Sequence, residues 1–385
     1  MEIQNNTPQV SVVLPCLNEA AGIGTCIEKI QHVFKTSGIH GEIVVCDNGS
    51  TDNSAGIARS LGARVVSEER RGYGYAYLTG LDAACGDYLV MGDADDTYDF
   101  GLIPRFLEKM KKENYAYVTG SRYAKESDTS QIPFLHRVIG NPLLTLMLNI
   151  LFGTRYSDVN CGLRAFTKTA YQKIKPVSKG MEFAMELAIN AHLAGLAIAE
   201  IPIHLMPRKG ESKLRTFTDG WRSLRLLLLY CPNKVFFIPG SILFAGGMII
   251  HAVVLLGLIQ YAEKPLGVVT SIMATIFSVT GFQILTLGLQ AKTYSWANRF
   301  IKDNSMLHWF YRYFTLEKGL LLGGILFFVG STILIYFIFE WAHIHFGELA
   351  HPAWIAFAAT LFIIGLGTIF SSLFISAMDI KGRDA

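Results

Sequence analysis

Two aspartates, Asp93 and Asp95, have the residue type and spacing of side chains that bind a divalent metal ion. They follow the apolar run 88–91, which is typical of a short buried strand. On a strand end, residues two apart project from the same side, as two ligands of one ion must. Hard carboxylate oxygens suit Mg²⁺ or Mn²⁺, and substrate phosphates and water usually complete the coordination of these ions. The pair therefore predicts a metal site that serves a phosphorylated donor.

The elements that would position these acids form a repeating pattern of strands and helices. Helical patterns cover residues 20–33, 54–61 and 75–84, and β-rich runs alternate with them. The predicted strands are residues 10–14, 43–46, 64–66 and 88–91. Right-handed crossovers make such strands parallel, so their carboxyl ends share one edge, where open α/β sheets bind ligands. We therefore predict an α/β domain with a Rossmann-like, mostly parallel sheet.

The same edge would gather two further acids, Glu19 and Asp47, beside Asp93 and Asp95. Taken singly, each motif is equally typical of a helix cap, as at Asn18, or of a solvated loop. Together, the four carboxylates repel one another unless a cation or the donors of a ligand lie between them, which favours a binding site. The sequence has no G-x-x-x-x-G-K-[ST] loop and only a fragment of a dinucleotide-binding fingerprint, which disfavours an ATPase or a dehydrogenase.

The composition indicates a chain with a polar front and a membrane-embedded back. Of its 385 residues, 51% are hydrophobic and 17% are charged, whereas soluble domains carry roughly 25% charged residues. Only nine Lys or Arg and seven Asp or Glu occur between Lys234 and Ala385. The net charge of +3 is too small and too dispersed to indicate nucleic acid as a partner.

Four stretches are long enough to cross a bilayer, which needs about 20 apolar residues. They are residues 235–259, 266–289, 319–339 and 353–378, within a transmembrane domain of residues 234–385. Lys and Arg are concentrated before the first span and between the second and third spans. The positive-inside rule therefore predicts a multi-pass membrane protein whose front domain (1–215), loop 291–318 and both termini are cytoplasmic.

Several segments have the character of helices that lie at a membrane surface. Residues 216–233 form a predicted juxtamembrane amphipathic helix, and residues 142–152 and 296–314 are also candidates for interfacial segments. Packing inside the soluble domain is the alternative, and such helices could also support a homo-oligomer. Apart from His251, which we interpret as a helix-contact residue, ionisable groups are almost absent from the spans, which disfavours transport.

Motifs in the order found here occur together in one enzyme family. They are Pro15-Cys16-Leu17-Asn18-Glu19, Asp47, Asp93-Ala94-Asp95, Gly120-Ser121-Arg122, Asp158, the stretch from Cys161 to Phe166 and the stretch from Arg208 to Leu214. Over residues 10–214 the chain resembles the family 2 glycosyltransferases of GT-A fold. The resemblance is to the polyprenyl-phosphate branch, which includes dolichyl-phosphate mannose synthase. It implies a GT-A catalytic domain, which the predicted orientation makes cytoplasmic and which the four predicted spans follow as a four-helix transmembrane domain.

The resemblance implies three groups of site residues. For the nucleotide sugar it implies Pro15, Leu17, Asn18, Glu19, Asp47, Asn48 and Asp93. For the Mg²⁺ or Mn²⁺ ion it implies Asp93 and Asp95, with Thr97 standing where some relatives have a glutamine ligand. For the acceptor phosphate it implies Arg122, Arg137, Asn141, Arg208, Ser212 and Lys213. Asp158 and Arg122 are the catalytic candidates, with Asp158 expected to orient the acceptor or the sugar and a general-base role left open.

The sequence thus predicts metal-dependent transfer of a hexose from UDP-glucose or GDP-mannose to a polyprenyl phosphate, dolichyl or undecaprenyl phosphate, at the cytoplasmic membrane face. Inversion at the anomeric carbon is implied by the family resemblance. The partners would be the nucleotide sugar, the lipid phosphate and the bilayer. One alternative is a processive polysaccharide synthase, although Trp221-Arg222 does not match the Q-x-x-R-W segment of those enzymes. A further alternative is a non-catalytic membrane scaffold or transporter.

Overall fold

The computed structural model of the chain describes residues 7–210, 216–261, 264–265, 267–298, 300, 315–347 and 351–379. These residues form two compact units, and the boundary between them lies between Leu227 and Leu228. The first unit is built on a seven-stranded sheet. The second unit contains four helices that are long and apolar enough to cross a membrane.

The sheet of the first unit has the strand order β3-β2-β1-β4-β6-β5-β7. Its strands are β1 (Val10–Cys16), β2 (Gly41–Asp47), β3 (Arg64–Ser67), β4 (Tyr88–Met91), β5 (Tyr117–Ser121), β6 (Arg164–Thr167) and β7 (Ile198–Pro202). Strand β6 runs antiparallel to both of its neighbours, β4 and β5, and every other neighbouring pair is parallel. The predicted mostly parallel α/β sheet is therefore confirmed.

Helices cover both faces of this sheet. The helices of the unit are α1 (Ile23–Thr36), α2 (Ser54–Ser60), α3 (Tyr73–Ala83), α4 (Ile103–Lys112), α5 (Asn141–Phe152), α6 (Lys168–Ile174) and α7 (Phe183–Leu193), and α8 (Thr216–Tyr230) crosses the unit boundary. On β1, Val12 and Leu14 pack into one apolar cluster with residues of α1 and α4. The intervening Val13 packs into a second cluster with residues of α3 and α7. This burial on both faces explains why β1 is a continuous apolar run.

Helix α1 differs from the sequence prediction for a local reason, and α5 has the exposed apolar face expected of an interfacial segment. Helix α1 begins at Ile23 rather than Ala20, because the amides of Gly22 and Ile23 both donate to the carbonyl of Glu19, at 3.0 and 2.9 Å, in a turn. Helix α5 begins at Asn141 and leaves Leu143, Leu146 and Ile150 between 51% and 66% exposed. An apolar face of this kind is what an interfacial helix would present.

The second unit consists mainly of helices α9 (Ile238–Leu255), α10 (Val268–Ala297), α11 (Leu316–His343) and α12 (Pro352–Asp379). A π-helical turn, Asn233–Phe237, extends α9 at its start, and strands β8 (Gln260–Tyr261) and β9 (Lys264–Pro265) pair between α9 and α10. His251 is buried, and its Nε2 lies 3.1 Å from Oγ1 of Thr360 on α12, as expected for a helix contact. Of the predicted interfacial segment 296–314, residues 299 and 301–314 lie outside the described residues.

Candidate active site

The carboxyl ends of β1, β2 and β4 lie at one edge of the sheet, because these strands are parallel neighbours. The edge brings Glu19, Asp93 and Asp95 close enough for their charges to interact. Asp47 ends the adjacent strand, directly opposite Cys16 of β1. The structure therefore places these four acids at one edge of the sheet.

Asp93 and Asp95 occupy different environments although they are only two residues apart. Burial first, and then the charge of Asp95, raise the pKa of Asp93 to about 7. Oδ1 of Asp93 accepts a hydrogen bond from the hydroxyl of Tyr73 at 3.0 Å, and the hydroxyl of Tyr77 lies 3.4 Å from the same oxygen. Oδ1 of Asp95 accepts from both the amide of Thr97 at 3.1 Å and its hydroxyl at 2.6 Å. Thr97 thus fixes the rotamer of Asp95.

Arg208 provides positive charge to this group of acids. Its Nη2 lies 3.0 Å from Oδ2 of Asp95 and 3.6 Å from Oε1 of Glu19. Arg208 was predicted to bind the acceptor phosphate; in this structure its guanidinium lies against the acids, and its role toward the acceptor stays a prediction. Ser212 and Lys213, which belong to the same motif, lie outside the described residues.

The loops after β1 and β2 are shaped by the side chains of Asn18, Asp47 and Asn48. Asn18 has a left-handed backbone, with φ of 52°, and its Oδ1 accepts from the amide of Thr51 at 2.7 Å. Oδ1 of Asp47 accepts from the amide of Ser50 at 3.1 Å. Asn48 is buried, its Nδ2 donates to two backbone carbonyls, and its Oδ1 accepts from a backbone amide. These bonds give Asn18 and Asn48 a role in loop geometry. Pro15 and Leu17 are half-buried beside them.

Arg122 and Asp158 form a nearly buried ion pair at the same edge. Nε and Nη2 of Arg122 donate to the two oxygens of Asp158, at 2.6 and 2.9 Å, and the amide of Arg122 donates at 3.0 Å. Burial alone would raise the pKa of Asp158, but the charge and hydrogen bonds of Arg122 outweigh it and lower the pKa below the usual value. A carboxylate held in this way is a weak base, so the pair fits an orienting role better than proton abstraction.

Asn141 is connected to the ion pair through one side chain. Nδ2 of Asn160 donates to Oδ1 of Asn141 at 3.1 Å, while the amide of Asn160 donates to Oδ1 of Asp158 at 3.2 Å. Asn141 also donates to the hydroxyl of Tyr123 at 3.3 Å. Arg137 lies in the preceding π-helical turn, with its guanidinium 6.0 Å from the ring of Phe134. Three acceptor candidates, Arg122, Arg137 and Asn141, therefore lie on segments that neighbour the catalytic candidate Asp158.

Sequence reasoning missed several residues of this edge. Tyr73 and Tyr77 are four apart on α3, so one helical face presents both hydroxyls to Asp93, a spacing that could have been noticed. Arg164 is fully buried, and its guanidinium donates to the carbonyls of Val159, Cys161 and Ala184 and to the hydroxyl of Tyr117. It therefore fixes the loop that carries Asp158. Its position inside the motif from Cys161 to Phe166, between apolar neighbours, is the signal that could have indicated burial.

The acids of this edge fit a divalent ion. Asp93 and Asp95 supply hard oxygen ligands, and a bound cation would offset the two causes that raise the pKa of Asp93, its burial and the charge of Asp95. Among the described residues, no group of three His, Cys, Asp or Glu side chains could hold a metal by itself. Two protein carboxylates suit Mg²⁺ or Mn²⁺ that a bound phosphate completes.

Comparisons with known proteins agree with this geometry. Residues 11–175 match the family model for glycosyl transferase family 2, and residues 289–379 match that for the glycosyltransferase family 2 C-terminal transmembrane region. The chain is 35% identical over 371 residues to the low-salt glycan biosynthesis hexosyltransferase of Haloferax volcanii, covering 96% of this chain and 89% of that protein. It is 34% identical over 211 residues to a dolichyl-phosphate hexose transferase of the same organism, covering 55% of this chain and 89% of that protein.

A solved structure is also similar to part of the chain. It is glucosyl-3-phosphoglycerate synthase from Mycobacterium tuberculosis in complex with Mn²⁺, UDP-glucose and glycerol 3-phosphate. The identity is 25%, the TM-score is 0.48, and the match covers 58% of this chain and 80% of that one.

Proposed function

This chain belongs to glycosyltransferase family 2, and on that premise we propose that it transfers a hexose from a nucleotide sugar to a polyprenyl phosphate at the cytoplasmic membrane face. The chain is a glycosyltransferase with a membrane-embedded C-terminal region. The names of the two Haloferax relatives, a hexosyltransferase and a dolichyl-phosphate hexose transferase, support the sugar class and the lipid acceptor. UDP-glucose and GDP-mannose are the proposed donors.

The observation that carries the proposal is the pair of half-buried Asp93 and buried Asp95 at the carboxyl edge of the sheet. Together with Glu19 and Asp47 they form an acidic edge that would otherwise repel a sugar diphosphate. Mg²⁺ or Mn²⁺ held by Asp93 and Asp95 would supply the positive charge that the leaving diphosphate requires. Hydroxyls of the ribose and N–H groups of the base would be hydrogen-bonded by Glu19 and Asp47, whose carboxylates are acceptors.

The acceptor would bind beside the Arg122–Asp158 pair. The side chain of Arg122 is 12% exposed, so part of the guanidinium surface is accessible to a phosphate oxygen. Asn141 and Arg137 lie on and before α5, whose apolar residues are exposed as a lipid surface requires. Four membrane-spanning helices in the same chain keep the enzyme in the bilayer that contains such an acceptor.

The reaction needs no strong base in this arrangement. A phosphate monoester has a second pKa near 6, so at neutral pH about nine-tenths of it is already the dianion. Its oxygen would form the new bond to the anomeric carbon as the bond to the donor diphosphate breaks, with inversion at that carbon. Asp158 would orient Arg122, and Arg122 would hold the phosphate in line for attack.

Membranes that contain the full chain test the proposal when they are given radiolabelled UDP-glucose or GDP-mannose and polyprenyl phosphate. We expect one labelled sugar per lipid, sensitivity to EDTA, and a loss of at least about 100-fold in initial rate for Asp95→Asn. Asp87→Asn is the matched control. Asp87 is exposed and lies just before the amino end of β4, whereas Asp95 follows its carboxyl end.

Three results would contradict the proposal. Full activity in EDTA would exclude the metal-dependent mechanism. A labelled polymer in place of a single lipid-linked sugar would indicate a processive synthase. No transfer, together with no metal-dependent binding of UDP or GDP, would indicate a scaffold.

A further inference from the structure

Asp96, the residue after the two proposed metal ligands, joins three separate segments of the first unit. Its backbone is left-handed, with φ of 64°, and its carboxylate is buried. Oδ1 of Asp96 accepts from Nζ of Lys29 on α1 at 2.6 Å, and Oδ2 lies 3.0 Å from Nζ of Lys209. We call this group of Lys29, Asp96 and Lys209 the Asp96 bridge. Both oxygens of Asp96 are occupied by lysines, so Asp96 differs from its neighbour Asp95.

The backbone of the segment 205–210 follows the loop that carries the acids. The amide of Lys209 donates to the carbonyl of Asp95 at 2.9 Å, and the amide of Met206 donates to the carbonyl of Thr97 at 2.8 Å. Nζ of Lys209 also donates to Oγ1 of Thr25 on α1 at 3.0 Å. The segment is therefore held along the acidic edge by its own backbone and by the Asp96 bridge.

Arg208 is the residue that this attachment places against the acids. Its Nη2 is 3.0 Å from Oδ2 of Asp95, which is the oxygen that Thr97 leaves available. The arginine thus occupies an oxygen that a divalent ion would need. Nε of Arg208 is buried and has no hydrogen-bond partner among the residues that the structure describes, so this contact does not satisfy the whole guanidinium.

We propose that Arg208 is an internal cation that competes with the divalent ion for Asp95, and that the Asp96 bridge is the positioning device that keeps it there. Arg208 neutralises the acids before the donor binds and has to leave Asp95 when the ion is bound. A diphosphate oxygen is the class of acceptor that its unsatisfied Nε would then take. The inference rests on the proposed function in one respect, the assignment of a divalent ion to Asp93 and Asp95.

Binding of Mn²⁺ alone to the purified full-length protein in detergent tests this competition without any catalytic turnover. The signal of free Mn²⁺ in electron paramagnetic resonance reports the dissociation constant. We expect Arg208→Gln to bind Mn²⁺ about 5-fold more tightly than wild type, the factor that a partly exposed ion pair is typically worth. Arg208→Lys, which keeps the charge, should stay close to wild type. Adding Asp95→Asn to Arg208→Gln should abolish the gain.

A control variant separates competition from general electrostatics. Arg105→Gln removes one positive charge from an exposed position on α4, so Mn²⁺ affinity should be unchanged. The double variant Asp96→Asn with Lys209→Met leaves the net charge unaltered and breaks the bridge. It should tighten Mn²⁺ binding about 2-fold in the wild-type background and have no effect in the Arg208→Gln background, because the bridge acts through Arg208.

Several results would overturn the inference. They are an unchanged or weaker affinity in Arg208→Gln, an equal gain in Arg105→Gln, and no Mn²⁺ binding by either the wild type or Arg208→Gln. The proposed function fails in a different way. If the membranes transfer no sugar while Arg208→Gln tightens Mn²⁺ binding, the competition for Asp95 is supported and the proposed glycosyl transfer is refuted. If EDTA-sensitive transfer occurs without the gain, only the competition is refuted.

Discussion

Replacing Asp158 by asparagine should destabilise the first unit. The guanidinium of Arg122 is nearly buried, and the change leaves its charge beside a neutral amide. The two oxygens of Asp158 accept from Nε and Nη2 of Arg122 at 2.6 and 2.9 Å, and the aspartate is fully buried. Breaking a buried ion pair by removing one partner costs about 3–5 kcal/mol. Because asparagine keeps one acceptor oxygen, we expect about 3 kcal/mol, which in a unit of this size lowers the melting temperature by about 6–12 °C.

The pH dependence of this loss has a definite sign. Arg122 lowers the pKa of folded Asp158 below its unfolded value, despite the opposing effect of burial. A lowered pKa contributes stability that is fully present above the unfolded value of about 3.9 and is lost as pH falls through the folded value. The gap in melting temperature between wild type and Asp158→Asn should therefore be constant from neutral pH to about pH 5 and shrink only below about pH 4.

Thermal unfolding of the full-length protein in detergent, followed by a thiol-reactive fluorescent dye, measures this gap, because the first unit keeps Cys16, Cys26, Cys46 and Cys161 buried until it unfolds. Asp87→Asn makes the same chemical change at an exposed position and should leave the melting temperature unaltered. Removing both charges, with Arg122→Gln added to Asp158→Asn, should recover part of the lost stability, because no uncompensated charge remains buried. A melting temperature for Asp158→Asn within about 2 °C of wild type would refute the reasoning, since that shift is worth less than about 1 kcal/mol.

Two further changes test the loop that precedes β6. Arg164→Met should lower the free energy of unfolding by about 3 kcal/mol or more, because it leaves the carbonyl of Cys161 and the other buried acceptors of Arg164 without their donor. Arg164→Lys should recover only part of the lost stability. Thermal unfolding measures both variants. Gly162→Ala places a methyl group 3.2 Å from Oδ2 of Asp93 and 2.9 Å from the hydroxyl of Tyr98. It should reduce the rate of sugar transfer by about 10-fold, with little change in the melting temperature measured without Mn²⁺. An unchanged rate would show that Asp93 tolerates displacement.

The sequence was sufficient to predict the first half of the sheet because its signals there are local. Each of the runs 10–14, 43–46, 64–66 and 88–91 lies within an observed strand. Strands β1, β2 and β4 are mostly buried, and a strand buried on both faces must be apolar along its length. The remaining strands β5, β6 and β7 are nearly as short as β3 and β4 and carry polar residues such as Thr119, Arg164 and Glu200, which interrupt the apolar pattern. Their pairing depends on contacts between distant parts of the chain, which no local pattern reports.

The partners of the charged residues were less predictable than their positions. The sequence indicates that Arg208 is basic and lies near a glycine, and both a phosphate and a carboxylate would suit it. Its contact with Asp95 depends on the register between the segment after β7 and the loop after β4. That register is a property of the folded sheet edge, so the assignment of Arg208 to the acids required coordinates.

The reversal of β6 explains why the residues proposed for donor and for acceptor lie at one edge. Because β6 is antiparallel to β4, with Met91 opposite Arg164, the residues before β6 lie beside those after β4. Asp158 therefore reaches the edge from the amino end of its strand, and Arg122 reaches it from the carboxyl end of β5. A wholly parallel sheet would place the loop before β6 at the opposite edge, with Asp158 a full strand length from Asp93. The mixed sheet is therefore a requirement for an Arg122–Asp158 pair beside the acids.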